Sequence, residues 1–184
     1  TPYHIKFEHT KPLDKEIDEQ LKYFYHLFNA FDSTSVISQV NQNRDIRVDT
    51  LFQKVFKKAL EVSTETNGAY DVTCAPLINL WGFGFSRKDS VTPAHIDSVC
   101  QFIGFQKVRL EGDRIVKDDP RLMMNFSSLA DGTVCDMIAQ MLEKKGVRNY
   151  LVEFGGEMRV KGVNPMGVDW RLGIAKPIDD ADGM

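Results

Sequence analysis

The chain has 184 residues, of which 42% are hydrophobic and 27% charged, and its formal net charge is −3. These values suit one globular domain with a sizeable core, and the spread of acids along the chain excludes a dedicated basic surface for nucleic acid. No apolar run reaches the ~18 residues of a membrane span, no signal peptide is recognisable, and Cys74, Cys100 and Cys135 form no C-x-x-C pair and read as buried single thiols.

"TPYHIKFEH" alternates as a strand does. Leu13, Ile17, Leu21, Phe24, Phe28 and Phe31 then recur at steps of three and four, the apolar face of a helix with Asp14 as its N-cap. "STSVISQVN" reads as a polar connector. Asp49 caps a second helix through Phe52, Val55, Ala59 and Val62, which Asn67-Gly68 ends as a left-handed C-cap.

After the segment "GAYDVTCAPLINLWGFG", "TPAHIDSVCQFIG" reads as a short helix, with Thr92 as cap, Pro93 in the first turn and Gly104 just beyond the end. "KVRLEGDRIVK" is a hairpin about Gly-Asp, and "RLMMNF" a buried strand. A helix from about Leu129 to Lys145 stops at Gly146, and "NYLVEF", "EMRVKGV" and "WRLGIAK" follow as three strands. Hairpins mixed with helices, without strict strand–helix alternation, point to an α+β fold with mostly antiparallel sheet.

None of the common phosphate-loop, dinucleotide or zinc-protease signatures occurs. Three constellations remain, each open to two readings. In "GAYDVT", Asp71 either accepts hydrogen bonds from a ligand or bonds local backbone in a turn. In "NFSSLADGTVCD", a strand-to-helix junction offers Ser127, Ser128, Asp131 and Gly132 to an anion or a hard cation, or Ser127 or Ser128 simply caps the helix. In "VEFGGEMRVKG", Gly155 and Gly156 allow either a close approach to another group or a tight turn.

In this order the segments resemble the ApbE family of FAD:protein FMN transferases. "STSVISQVN", "NGAYDVTCAPLINLWGFG", "NFSSLADGTVCDMIAQML", "GVRNYLVEFGGEMRVKG" and "WRLGIAKP" carry the likeness over nearly the whole chain, and the "GAYDVT…PLINLWGFG" block is highly specific. The resemblance implies an α+β, T-fold-like flavin transferase fold. It also implies Mg²⁺-dependent cleavage of FAD, with FMN passing to a Thr or Ser hydroxyl of an acceptor flavoprotein and AMP leaving. An FAD pyrophosphatase and a non-catalytic flavin-binding protein are the alternatives.

Carried over position by position, the resemblance places flavin-nucleotide contacts at Phe31, Ala69, Tyr70, Asp71 and Asn125. It places a metal contact at Ser128, and a phosphate-facing position at Asp131, where many members have Lys. Pro76, Leu77, Leu80, Trp81 and Phe83 are expected to hold the pocket against the core. Family members continue well past "WRLGIAKP" through blocks carrying a His and most Mg²⁺-binding acids. Residues 1–184 therefore look like one truncated flavin transferase domain, expected to be inactive alone. The resemblance further implies extracytoplasmic placement, a lipid anchor upstream of this chain, and acceptors among flavoprotein subunits of membrane redox complexes.

Overall fold

The computed structural model describes residues 1–84 and 91–174. Strand β1 (Tyr3–Phe7) leads into helix α1 (Asp14–Phe28), followed by α2 (Val36–Asn41), α3 (Thr50–Glu65), α4 (Ala75–Leu80) and α5 (Pro93–Cys100). A 3-10 turn at Phe105–Lys107 opens the hairpin β2 (Val108–Glu111) and β3 (Arg114–Lys117), and α6 (Ser127–Lys144), β4 (Tyr150–Phe154) and β5 (Glu157–Lys161) complete the order. One sheet runs β1-β4-β5 and the other is the β2–β3 pair, with every strand pairing antiparallel. The expected α+β, antiparallel fold is present.

The long helices form where apolar periodicity is strongest. On one face α1 buries Ile17, Leu21, Phe24, Leu27 and Phe28, while Asp14 and Glu16 in its first turn and His26 in its last suit the helix dipole. Its start differs from expectation. Leu13, not Asp14, is the cap residue, because its buried side chain fixes the chain there and its carbonyl accepts from Ile17 N at 3.0 Å. Its end differs too. Asn29 closes a turn by accepting from Phe31 N at 3.1 Å through Oδ1, so Phe31 lies outside the helix and is 74% exposed.

The "connector" holds a helix. Ser35 Oγ accepts from Ser38 N at 3.2 Å and starts α2, whose polar composition disguised it. The Asp49 cap of α3, the Thr92 cap of α5 and the turn of β2–β3 stand as expected. So does the left-handed pair Asn67 (φ 52°) and Gly68 (φ 80°).

"RLMMNF" is buried at Leu122, Met124 and Phe126, yet among the described residues its one strand-like pairing is a parallel bridge, Met123 with Cys74. Its partners are not a strand. Asn41 Nδ2 donates to Met124 O at 2.9 Å, Asn41 Oδ1 accepts from Met124 N at 2.8 Å, and Asn125 N donates to Val72 O at 2.8 Å. The expected strand in "WRLGIAK" is absent from Trp170–Ile174, where Trp170 Nε1 donates to Lys161 O, and its last residues lie outside the described ones. Of the cysteines Cys135 is buried, Cys74 half-buried and Cys100 exposed.

The core sits between the helices and one face of the three-stranded sheet. Phe28, Phe52 and Phe126 meet pairwise at ring separations of 5.4, 5.5 and 5.8 Å. Phe126 immediately precedes α6, so this aromatic cluster fixes where α6 begins.

Two expectations arise here. Ser63 is fully buried, and its Oγ finds no hydrogen-bond partner among the described residues. Ser63→Ala removes that unpaired hydroxyl and should leave stability unchanged or raise it by up to about 1 kcal/mol. A thermal or urea melt showing a clear loss contradicts this.

Lys117 Nζ donates to Leu122 O at 2.8 Å and to Asn41 O at 3.3 Å. Burial pushes its pKa down to about 8, with Asp119 pulling the other way. Between that value and the usual lysine range the unfolded chain holds a proton that the folded chain has lost, so the Lys117 contribution to stability rises with pH across this window. The stability of wild type relative to Lys117→Met should therefore increase between about pH 7 and about pH 10. A constant or shrinking difference in urea melts at the two pH values contradicts it.

Candidate functional site

Three segments meet at a cleft of about 660 Å³. The turn after α3 supplies Gly68, Ala69, Tyr70 and Asp71, and α4 supplies Leu77 and Ile78. Asn125, Ser127 and Ser128 come from the start of α6, and Ile103 closes one side beyond α5.

Each segment is held by local chemistry. The turn begins where Gly68 takes positive φ and donates to Ser63 O at 2.8 Å, and Tyr70 N donates to Thr66 Oγ1 at 3.1 Å. Asp71 then closes an Asx-type turn. Its Oδ1 accepts from Thr73 N at 2.8 Å and from Thr73 Oγ1 at 2.6 Å, and its Oδ2 accepts from Phe105 N at 2.9 Å. At the junction into α6, Asn125 Oδ1 accepts from Ser127 N at 2.7 Å in an Asx turn just ahead of the cap residue Phe126, and Ser127 and Ser128, which sequence reading offered as caps, lie in the first turn of the helix.

The cleft pairs an apolar wall with a polar one. Leu77, Ile78 and Ile103 face the hydroxyls of Tyr70, Ser127 and Ser128, and Ser128 Oγ stands 3.4 Å from Tyr70 Oη. Burial raises the Tyr70 pKa and also that of Cys74, so both groups stay protonated at neutral pH. The first turn of the 18-residue α6 presents its positive end to the same space. Such a site suits a flat ring system carrying a phosphate.

Five of the seven candidates, Ala69, Tyr70, Asp71, Asn125 and Ser128, line this one cleft. Phe31 and Asp131 are not among its lining residues. Asp131 instead stands against Gly155 of the β4–β5 hairpin. Burial raises its pKa, and Glu157 raises it further.

The support expected from "PLINLWGFG" is only partial. Leu77 and Phe83 line the cleft and Pro76 and Leu80 are half-buried, but Trp81 is 48% exposed and Phe83, at 81%, is not held against the core. Helix α4 is six residues long and buries only Ala75, so it cannot carry the two aromatics into the core. Sequence reading overlooked α4 itself, although Pro76 in its first turn was a signal, and overlooked Thr73 and Ile103.

The described residues contain no group of three or more His, Cys, Asp or Glu able to hold a metal. Ser128 offers one hydroxyl, and Asn125 Oδ1 is already engaged by Ser127 N, so these residues by themselves do not fit an octahedral Mg²⁺ site.

Comparison with known proteins agrees with this architecture. The ApbE family profile matches residues 1–183. The FAD:protein FMN transferase of Vibrio cholerae serotype O1 is 36% identical over 191 residues, covering 98% of this chain and 57% of the relative. That of Haemophilus influenzae is 32% identical over 194 residues, covering 96% and 56%. Among solved structures, the flavin transferase ApbE from Vibrio cholerae superposes with a TM-score of 0.89 at 35% identity over 95% of this chain and 60% of that one. The Pseudomonas stutzeri flavinyl transferase ApbE gives 0.84 at 28% identity over 94% and 61%. The chain spans about half the length of the curated relatives it matches. With its α+β fold, its antiparallel sheets and a family profile that matches residues 1–183, the chain belongs to the ApbE family.

Proposed function

We propose that the full-length protein transfers FMN from FAD to a Thr or Ser hydroxyl of an acceptor flavoprotein and releases AMP. The observation that carries this reading is the meeting of Ala69, Tyr70, Asp71, Asn125 and Ser128 at one cleft in a member of this family. The acceptor oxygen attacks the FMN phosphorus, the bond to the AMP oxygen breaks, and the hydroxyl proton passes to a base. Leu77 and Ile78 give the nucleotide an apolar wall, and the α6 N-terminus favours its pyrophosphate. Among the described residues Ser128 would offer Mg²⁺ one hydroxyl, and the ion would supply charge neutralisation on the phosphoryl oxygens once the rest of the full-length protein completed its site. Phe31 and Asp131 contact the nucleotide only in an arrangement of the full-length protein that brings them to the cleft.

Residues 1–184 alone are expected to leave an acceptor unlabelled. We place the protein outside the cytoplasm, lipid-anchored through a segment upstream, with acceptors among flavoprotein subunits of membrane redox complexes. Cell fractionation tests this placement, and recovery in the soluble cytoplasm contradicts it.

The activity is tested by incubating the full-length protein with FAD and Mg²⁺, with and without an acceptor domain. Covalent flavin on the acceptor with stoichiometric AMP is expected. Free FMN and AMP without labelled acceptor identifies a pyrophosphatase, and intact bound FAD identifies a flavin-binding protein. Either result overturns the proposal.

A further inference from the structure

Helices α4 and α5 form an arm that supplies one wall of the cleft, yet apolar packing scarcely holds it. Helix α4 buries only Ala75, and α5 contributes no buried side chain among the described residues. The strap Gln101–Phe105 then returns the chain to the core at β2, whose Val108 is buried. Ile103, in the middle of this strap, lines the cleft.

The strap is tied to the turn beneath it by two backbone amides. Gly104 N donates to Thr73 Oγ1 at 2.8 Å, and Phe105 N donates to Asp71 Oδ2 at 2.9 Å. Thr73 is fully buried, and its hydroxyl donates to Asp71 Oδ1 at 2.6 Å. The result is a closed relay in which one carboxylate and one hydroxyl grip two consecutive amides. Phe102 adds a contact under the Arg121 guanidinium at 4.6 Å. Gly104 itself has φ +144°, a conformation that a side chain there would strain.

An ionised carboxylate has about four acceptor positions. Thr73 N, Thr73 Oγ1 and Phe105 N occupy three of those on Asp71. Its chemistry is therefore spent mainly on holding protein to protein.

We infer that Thr73 and Asp71 are positioning residues that latch the Gln101–Phe105 strap onto the turn at residues 68–73, and so set the wall against which FAD is held. This inference rests on the flavin-transfer reading and assigns Thr73 a role in it. Thr73→Val keeps the shape of the buried side chain and removes the acceptor for Gly104 N. Asp71→Asn replaces an acceptor by an N–H facing Phe105 N. Thr73→Ser keeps the hydroxyl and serves as the rescue.

The test combines amide hydrogen exchange with FAD kinetics on the full-length protein and the three variants, after melts confirm that each is folded. In wild type and Thr73→Ser the Gly104 and Phe105 amides should be protected. In Thr73→Val and Asp71→Asn they should exchange as loop amides do, and KM for FAD should rise about tenfold or more, since hydrogen bonds to charged groups carry that much. KM for the acceptor should not move. Unprotected amides in wild type overturn the latch. Deprotected amides with an unchanged KM for FAD overturn the positioning role. Protected amides in a wild-type protein that leaves FAD intact overturn the functional reading and the positioning role with it, and show the latch to be an element of the fold alone.

Discussion

Asn41→Leu is expected to destabilise the protein by about 2–6 kcal/mol, because two buried backbone groups lose their partners and each such loss costs about 1–3 kcal/mol. Asn41 is 7% exposed, and its amide pairs with Met124 in both directions, at 2.9 and 2.8 Å. Leucine keeps the branching and the number of heavy atoms and offers neither donor nor acceptor. Met124 belongs to the segment that carries Asn125 to the cleft and Phe126 to the aromatic cluster. Loss of this pairing thus loosens the start of α6 together with the core. Against a total stability of roughly 5–15 kcal/mol, the variant should unfold at much lower urea, with a similar m-value. A loss under about 1 kcal/mol contradicts the account.

Gly155→Asn should also cost about 0.5–1.5 kcal/mol, because a neighbouring carboxylate must be displaced from its rotamer, although asparagine is ordinarily welcome at this kind of position. Phe154 pairs with Glu157, so Gly155 and Gly156 form a two-residue loop, with φ of 63° and 101°. In an isolated type I′ turn, Asn at the first position is favoured. Here a Cβ on residue 155 would overlap the Asp131 carboxylate and touch the Thr1 side chain. The neighbour therefore adds a penalty of its own to the strain that a side chain meets at this positive φ. In the Asp131→Ala background, Gly155→Asn should cost markedly less, a coupling that a double-mutant cycle in urea reads directly. Equal costs in the two backgrounds contradict it.

This hairpin shows where sequence reading reached and where it stopped. Paired glycines between two β-rich runs left open either a tight turn or a close approach, and the loop is a tight turn that Asp131 also approaches. The approaching group, Asp131, lies on another element, and single-sequence periodicity carries no information on such pairings. The capped helices were legible for a local reason, since Asp49, Thr92 and the Asn67-Gly68 stop act within five residues of themselves. Helix α2 was missed because its six residues are too short for a periodicity to emerge and its cap, Ser35, lies among other polar residues. The segment around Met124 was misread because alternating burial there comes from a side chain, Asn41, acting as the neighbouring strand would.

In the site, the residue types were legible and their division of labour was not. Asp71 stood out as a charge in an apolar run, but its acceptors face Thr73 and Phe105, the latter 34 positions away. Phe31 continued the spacing of α1 and was read as part of it, whereas the Asn29 turn ends the helix first.

The central claim is that the cleft between the turn at residues 68–71 and the start of α6 is where FAD is held. Amide chemical-shift mapping of the full-length protein during an FAD titration tests it most directly. The account predicts that the largest changes fall on Tyr70, Asp71, Ile103, Ser127 and Ser128, with the cleft formed by β1 and Val163–Trp170 left unmoved. Saturable shifts concentrated at Phe7, Asn164 and Trp170, with Tyr70 and Ser128 silent, would contradict it.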